Sequence, residues 1–309
     1  MHRSARKLIS FGLLLALLPA CSGQVLETQP QEEQPPVSTA GHASEVPTFG
    51  RTEYAYGPDA LQKLDFWPAV PARPAPLILF VHGGGWKRGD KRSATGMQKV
   101  EHLTHEGFAF ASINYRLVPA ATVEQQAADV SAAVAWLRDH AARLGIDASR
   151  IVLMGHSAGA HLVALVGTDP QYLAAAGLSL SDLRGVIALD GACYDIPRQL
   201  AAAGRFMRGT YIEAFGSEPA RQRALSPALQ TLKRDTPAFL IAHIDRADGK
   251  AQSDALAKAL MQAGIPAEVH GVDGTGLLGH LEINRSLGRA DYPATPVVDA
   301  WLRKLLHAT

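Results

Sequence analysis

Two short motifs in this 309-residue chain carry groups suited to one reaction. Gly155-His156-Ser157-Ala158-Gly159 is a G-x-S-x-G sequence directly after the apolar run Ile151-Val152-Leu153-Met154. A serine in that setting sits on a sharp strand-to-helix turn that lifts its hydroxyl to the end of a sheet, where it can attack a carbonyl carbon. The turn crowds the backbone, so both flanking positions need glycine. His82-Gly83-Gly84-Gly85-Trp86 follows a second apolar run, Leu77 to Val81, and its amides can point at the oxyanion that such an attack creates. The amide of Ala158, next after the serine, is the other expected donor. Either motif alone recurs by chance. In this order, each at a strand end, they point to acyl transfer through a covalent serine intermediate.

Other side chains that could do chemistry read as structural. His102 and His105 have metal-like spacing, but only Glu101 and Glu106 accompany them, so a solvated helix face is expected and no metal site. Cys193 lies in the apolar stretch from Val186 to Tyr194 and is expected to be a buried thiol. His156 is a spacer within the elbow. Phosphate-loop, dinucleotide and haem signatures are missing, so no cofactor is expected.

A net charge of +1 with no basic stripe argues against nucleic acid as a partner. A hydrophobic share of 47% is enough to fill a large core. The first residues read as an export signal: Arg3, Arg6 and Lys7 precede a short apolar run, Leu8 to Leu18, too short to span a bilayer comfortably. Leu18-Pro19-Ala20-Cys21 resembles the lipobox of bacterial lipoproteins, which implies cleavage after residue 20 and a lipid anchor on Cys21. Ser22 after the cysteine favours the outer membrane of the cell envelope. Residues 21–48, rich in Gln, Glu, Pro, Ser and Thr, read as a solvated tether, with the folded domain over 49–309.

Within that domain the pattern demands a sheet that can position both motifs. Thr52–Tyr56 and Leu61–Phe66 alternate apolar and polar residues and read as antiparallel edge strands around the Gly57-Pro58-Asp59 turn. Strands are expected at Leu77–Val81, Ala109–Tyr115, Arg150–Met154, Val186–Leu189, Ala238–Ile244 and Ala267–Val272. Helices are expected at Ala94–Glu106, Val123–Leu144, Ala160–Gly167 and Val297–Leu306. This alternation predicts an α/β fold with a mostly parallel central sheet and helices on both faces. Both motifs fall at the carboxyl ends of strands, where such sheets bind ligands. Residues 196–235 interrupt the alternation and are expected to form a small helical cap.

His82-Gly83-Gly84-Gly85-Trp86, Asn114-Tyr115-Arg116-Leu117 and the Ser157 motif together resemble the esterase branch of the α/β-hydrolases. The similar groups are the hormone-sensitive-lipase-like, feruloyl-esterase-like and kynurenine-formamidase-like enzymes. The resemblance runs from about Tyr56 to Leu306 and implies an α/β-hydrolase fold and a small-molecule ester substrate. It implies a serine, acid, histidine order along the chain, with Ser157 as nucleophile and His280, after the last strand, as base. The acid should follow the strand 239–244. Asp248 is favoured, because Arg246-Ala247-Asp248 before Gln252-Ser253 matches the family, over Asp245. The other of the two would cap the next helix. The resemblance assigns Gly84 and Gly85 to the oxyanion hole. His82 and Trp86 would hold that loop, or Trp86 would line the substrate pocket. Short to medium acyl chains are expected. Alternatives are an arylformamidase, a peptidase and a catalytically silent surface-binding lipoprotein.

Overall fold

The computed structural model describes residues 50–232 and 235–307. The signal segment 1–20, Cys21 and the tether 21–48 lie outside the described residues.

The strands are β1 (Thr52–Ala55), β2 (Lys63–Trp67), β3 (Ala75–Val81), β4 (Ala109–Ile113), β5 (Ile146–His156), β6 (Gly185–Leu189), β7 (Ala238–Ile244) and β8 (Ala267–Val272). They form one sheet in the order β1-β2-β4-β3-β5-β6-β7-β8. The pairings β1–β2 and β2–β4 are antiparallel, and every other pairing is parallel.

The helices are α1 (Met97–His105), α2 (Val123–Asp139), α3 (Ala141–Leu144), α4 (Ala158–Thr168), α5 (Pro170–Ala175) and α6 (Ile196–Ala202). They continue as α7 (Arg205–Phe215), α8 (Pro219–Ala224), α9 (Ala247–Gln262), α10 (Gly276–Arg285) and α11 (Ala294–His307).

The uninterrupted apolar runs follow from helices covering both faces of the parallel strands. Along β3, Leu77, Leu79 and Val81 join a core with Val130 and Val134 of α2, Leu162 of α4 and Leu256 of α9. Ile78 and Phe80, pointing the other way, join a second core with Leu103 of α1, Ile283 of α10 and Trp301 of α11. One long helix was expected from Val123 to Leu144, but the chain breaks at His140 and resumes as α3, which stops at left-handed Gly145. A reciprocal capping box between Thr122 and Gln125 starts α2.

The register lines up the strand ends that matter. Val81 pairs with Gly155, and His156 pairs with Leu189. The residues just past these pairs therefore emerge side by side: the glycine loop after β3, Ser157 after β5 and Asp190 after β6. Between β6 and β7 the chain forms α6, α7 and α8, of which α7 reaches back to the glycine loop.

Candidate active site

Ser157 stands between β5 and α4 with φ 56° and ψ −119°, a conformation L-residues seldom adopt. The surroundings over-determine it. The Ser157 amide donates to the Leu189 carbonyl at 3.0 Å, tying the turn to β6. A Cβ at Gly159 would overlap the Val81 carbonyl oxygen, so α4 can start against β3 only through glycine. The serine is half-buried.

The structure brings Ser157 and His280 together, with Ser157 Oγ 3.0 Å from His280 Nε2. His280 lies on α10, and its Nδ1 lies 2.5 Å from Asp190 Oδ2. The carboxylate that meets the histidine is thus Asp190, neither Asp248 nor Asp245. Asp190 directly follows β6, the strand beside the elbow strand, and register carries it abreast of Ser157. Asp248 lies in the first turn of α9, where it accepts from Arg246 Nη1 and from Gln199 Nε2, each at 3.2 Å. Asp245 is held through its amide, which donates to the Gly274 carbonyl at 2.9 Å. The α9 N-cap is Arg246, without a side-chain cap bond, so neither aspartate caps that helix.

Arg246 links the two carboxylates. Its Nη2 donates to Asp190 Oδ1 at 3.2 Å and to the Gly191 carbonyl at 3.3 Å. Burial pushes the fully enclosed Asp190 carboxyl up. The bond with His280, the Arg246 charge and the Ile244 amide outweigh it and hold the group below the usual aspartate range. Asp190 is therefore ionised and accepts the Nδ1 proton, leaving Nε2 bare to accept from the serine hydroxyl.

The glycine loop wraps the other side of Ser157. A Cβ on Gly83 would lie 2.9 Å from Ser157 Cβ, which places the loop directly against the nucleophile. Gly84 has φ 129° and no room for a side chain beside the Arg88 carbonyl. Among the described residues, the amides of Gly84, Gly85 and Ala158 donate to no protein acceptor. His82 stacks on Tyr115 at 4.4 Å, donates from Nδ1 to the Gly83 carbonyl, and its own carbonyl accepts from the Tyr115 hydroxyl.

Trp86 does not line an open pocket. It is 2% exposed, and its indole is ringed edge-on by His161, Tyr211 and Phe215. Its Nε1–H donates to His161 Nδ1 at 3.3 Å, and His161 Nε2 donates to the Leu225 carbonyl at 2.9 Å. The Trp86 carbonyl accepts from Gln126 Nε2 and the Val118 amide. Trp86 thus bolts the glycine loop to α2, α4 and α7. Its assignment to the substrate surface is corrected by the docking of α7, which buries it.

A solved esterase from Thermogutta terrifontis, Est2, superposes with a TM-score of 0.65 at 24% identity, covering 82% of this chain and 92% of that one. The chain has the α/β-hydrolase fold. A family model described as BD-FAE matches residues 64–188 of this α/β-hydrolase. Esterase LipC of Mycobacterium tuberculosis is 33% identical over 206 residues, 63% of this chain and 51% of LipC. The kynurenine formamidase of Drosophila melanogaster is 32% identical over 110 residues, 36% of this chain and 35% of that enzyme. The chain spans about half the length of the curated relatives it matches.

Sequence reasoning missed Asp190, and one local signal could have found it. Leu189-Asp190-Gly191 ends the strand next to the elbow, so it is as close to the serine as any downstream aspartate. The Asn114-Tyr115-Arg116 motif serves the scaffold. Arg116 makes an ion pair with Asp129, and Asn114 Oδ1 accepts from the Lys91 amide. His102 pairs with Asp299 at 2.8 Å, and among the described residues no three His, Cys, Asp or Glu side chains gather into a cation site. Cys193 is fully buried, and burial pushes its thiol well up.

Proposed function

We propose that this α/β-hydrolase is a serine hydrolase of carboxylic esters. The observation that carries the reading is the line Ser157 Oγ, His280 Nε2, His280 Nδ1, Asp190 Oδ2, with separations of 3.0 and 2.5 Å at the carboxyl ends of adjacent strands. His280 takes the hydroxyl proton as Ser157 attacks the ester carbonyl, and Asp190 stabilises the imidazolium that forms. The unpaired amides of Gly84, Gly85 and Ala158 receive the oxyanion, and collapse expels the alcohol with the proton from His280. Water, activated by the same histidine, then releases the acid from the acyl-serine.

Short to medium acyl chains suit a half-exposed serine whose glycine loop is flanked by a segment of helices no longer than eleven residues. The lipobox-like Leu18-Pro19-Ala20-Cys21 supports a lipid anchor on Cys21 and a place in the bacterial envelope. Hydrolysis of p-nitrophenyl esters from acetate to laurate tests the reading. Turnover that disappears in Ser157→Ala is expected, with a maximum at the shorter chains. A folded protein inert on every ester would sink it. The stretch shared with a kynurenine formamidase favours an aryl formamide as the second substrate to try.

A further inference from the structure

The side chain of His156, in the position before the nucleophile, leaves the end of β5 and crosses to α10. There its Nε2 lies 2.7 Å from the backbone carbonyl oxygen of His280. The two imidazoles stack, with ring centroids 4.5 Å apart and planes 38° from parallel. We propose that His156 is a positioning residue that holds His280 in register with Ser157, through its Nε2–H on the backbone and its ring against the imidazole.

The acceptor is a carbonyl oxygen, so Nε2 carries the proton. Within α10 that oxygen already faces the amide one turn on, and His156 takes its second lone pair. The tether adds to a turn that large side chains do not hold: Leu277 and Leu278, before His280, are 71% and 82% exposed, and the turn packs through buried Gly279 against Gly274 and Ile244. Farther along, Lys99 Nζ grips the Asn284 carbonyl and side chain at 2.6 and 2.8 Å. His156 is the side chain that holds the backbone of His280 itself, whose ring meets Asp190 and Ser157.

Its own packing makes it a rigid support. His156 is 5% exposed, and a Cβ on Gly83 would lie 3.1 Å from its Nδ1, so the ring is wedged between the glycine loop and α10. Burial, followed by the nearby His280, lowers its pKa to about 3. It therefore stays neutral while His280 is charged, and offers a ring face to the imidazolium instead of a second positive charge.

The role rests on the proposed reaction only in that His280 is its base. His156→Leu removes the donor, whereas His156→Gln places an amide N–H near the position of Nε2. In p-nitrophenyl butyrate hydrolysis, kcat of the Leu variant is expected to fall about ten- to a hundred-fold with KM nearly unchanged. The Gln variant is expected to recover most of the loss. If the Leu variant does not fold, Gln against the shorter Asn makes the same comparison. Nitrogen-15 NMR of the imidazoles in the wild type, independent of any substrate, should find His156 neutral and protonated on Nε2. An Nδ1-protonated His156, or variants that all match the wild-type kcat, would overturn the proposal. Should the wild type hydrolyse no ester, the His280 Nδ1 proton resonance still reads the geometry. It should shift in His156→Leu and return in His156→Gln, and no shift would count against the role.

Discussion

His280 Nδ1 and Asp190 Oδ2 lie 2.5 Å apart although 90 residues separate them, and the aspartate is one that no motif marks. Its second oxygen is held by Arg246, which Asp248 holds in turn. The two aspartates therefore differ by one link in the chain of contacts. Asp190→Asn is expected to lower kcat by about 10⁴-fold, since an amide does not hold the imidazole in the required tautomer. Asp248→Asn leaves the His280 bond intact and should cost at most about ten-fold, through looser Arg246. Steady-state kinetics on one ester separates the two. Equal losses would return Asp248 to contention.

Gly84 combines φ 129° with an amide free of protein acceptors. Gly84→Ala forces the loop away from Arg88 and moves that amide off the oxyanion. A drop in kcat of about 10²–10³-fold is expected, the size of losing one donor. Ordinary turnover by a folded Gly84→Ala protein would remove this amide from the oxyanion hole.

Trp86 supports the loop from behind, so its loss should weaken the fold without changing selectivity. Trp86→Phe keeps most ring contacts and loses the bond to His161, a cost of about 1–3 kcal/mol because a buried acceptor is left unpaired. Urea unfolding should show that decrease, while the ratio of acetate to hexanoate turnover stays as in the wild type. A changed ratio at unchanged stability would put the indole in contact with substrate.

Three buried histidines make the protein acid-sensitive. Burial lowers the pKa of His82 to about 4, of His156 to about 3 and of His161 to about 4, from an ordinary 6.5. The unfolded chain binds protons that the folded chain refuses, so stability falls as pH drops from about 6.5 toward 4. Below that, Asp190, whose pKa is also depressed, adds loss in the same direction. Thermal melts at pH 7.5, 6, 5 and 4 should show a Tm that declines through this window. His161→Asn, with one fewer such group, should show a shallower decline, and a Tm level down to pH 4 would contradict the neutral assignment.

Local chemistry determined the parts that were legible in the sequence. A serine between Gly155 and Gly159 after an apolar strand has one backbone solution, because the contact of Gly159 with the Val81 carbonyl tolerates no Cβ. Strands covered on both faces are mostly apolar, so residues 77–81 and 238–242 were legible as strands. His280 was legible through the resemblance, which places a histidine after the last strand. The acid was not, because Asp190, Asp245 and Asp248 each follow a strand, and only the pairing of His156 with Leu189 sets one of them beside the histidine. The place of Trp86 was equally a matter of docking, since a loop tryptophan is buried or open according to whether α7 folds over it. Pairing register and helix docking are contacts between residues far apart in the chain, and a single sequence records each residue without its distant neighbour.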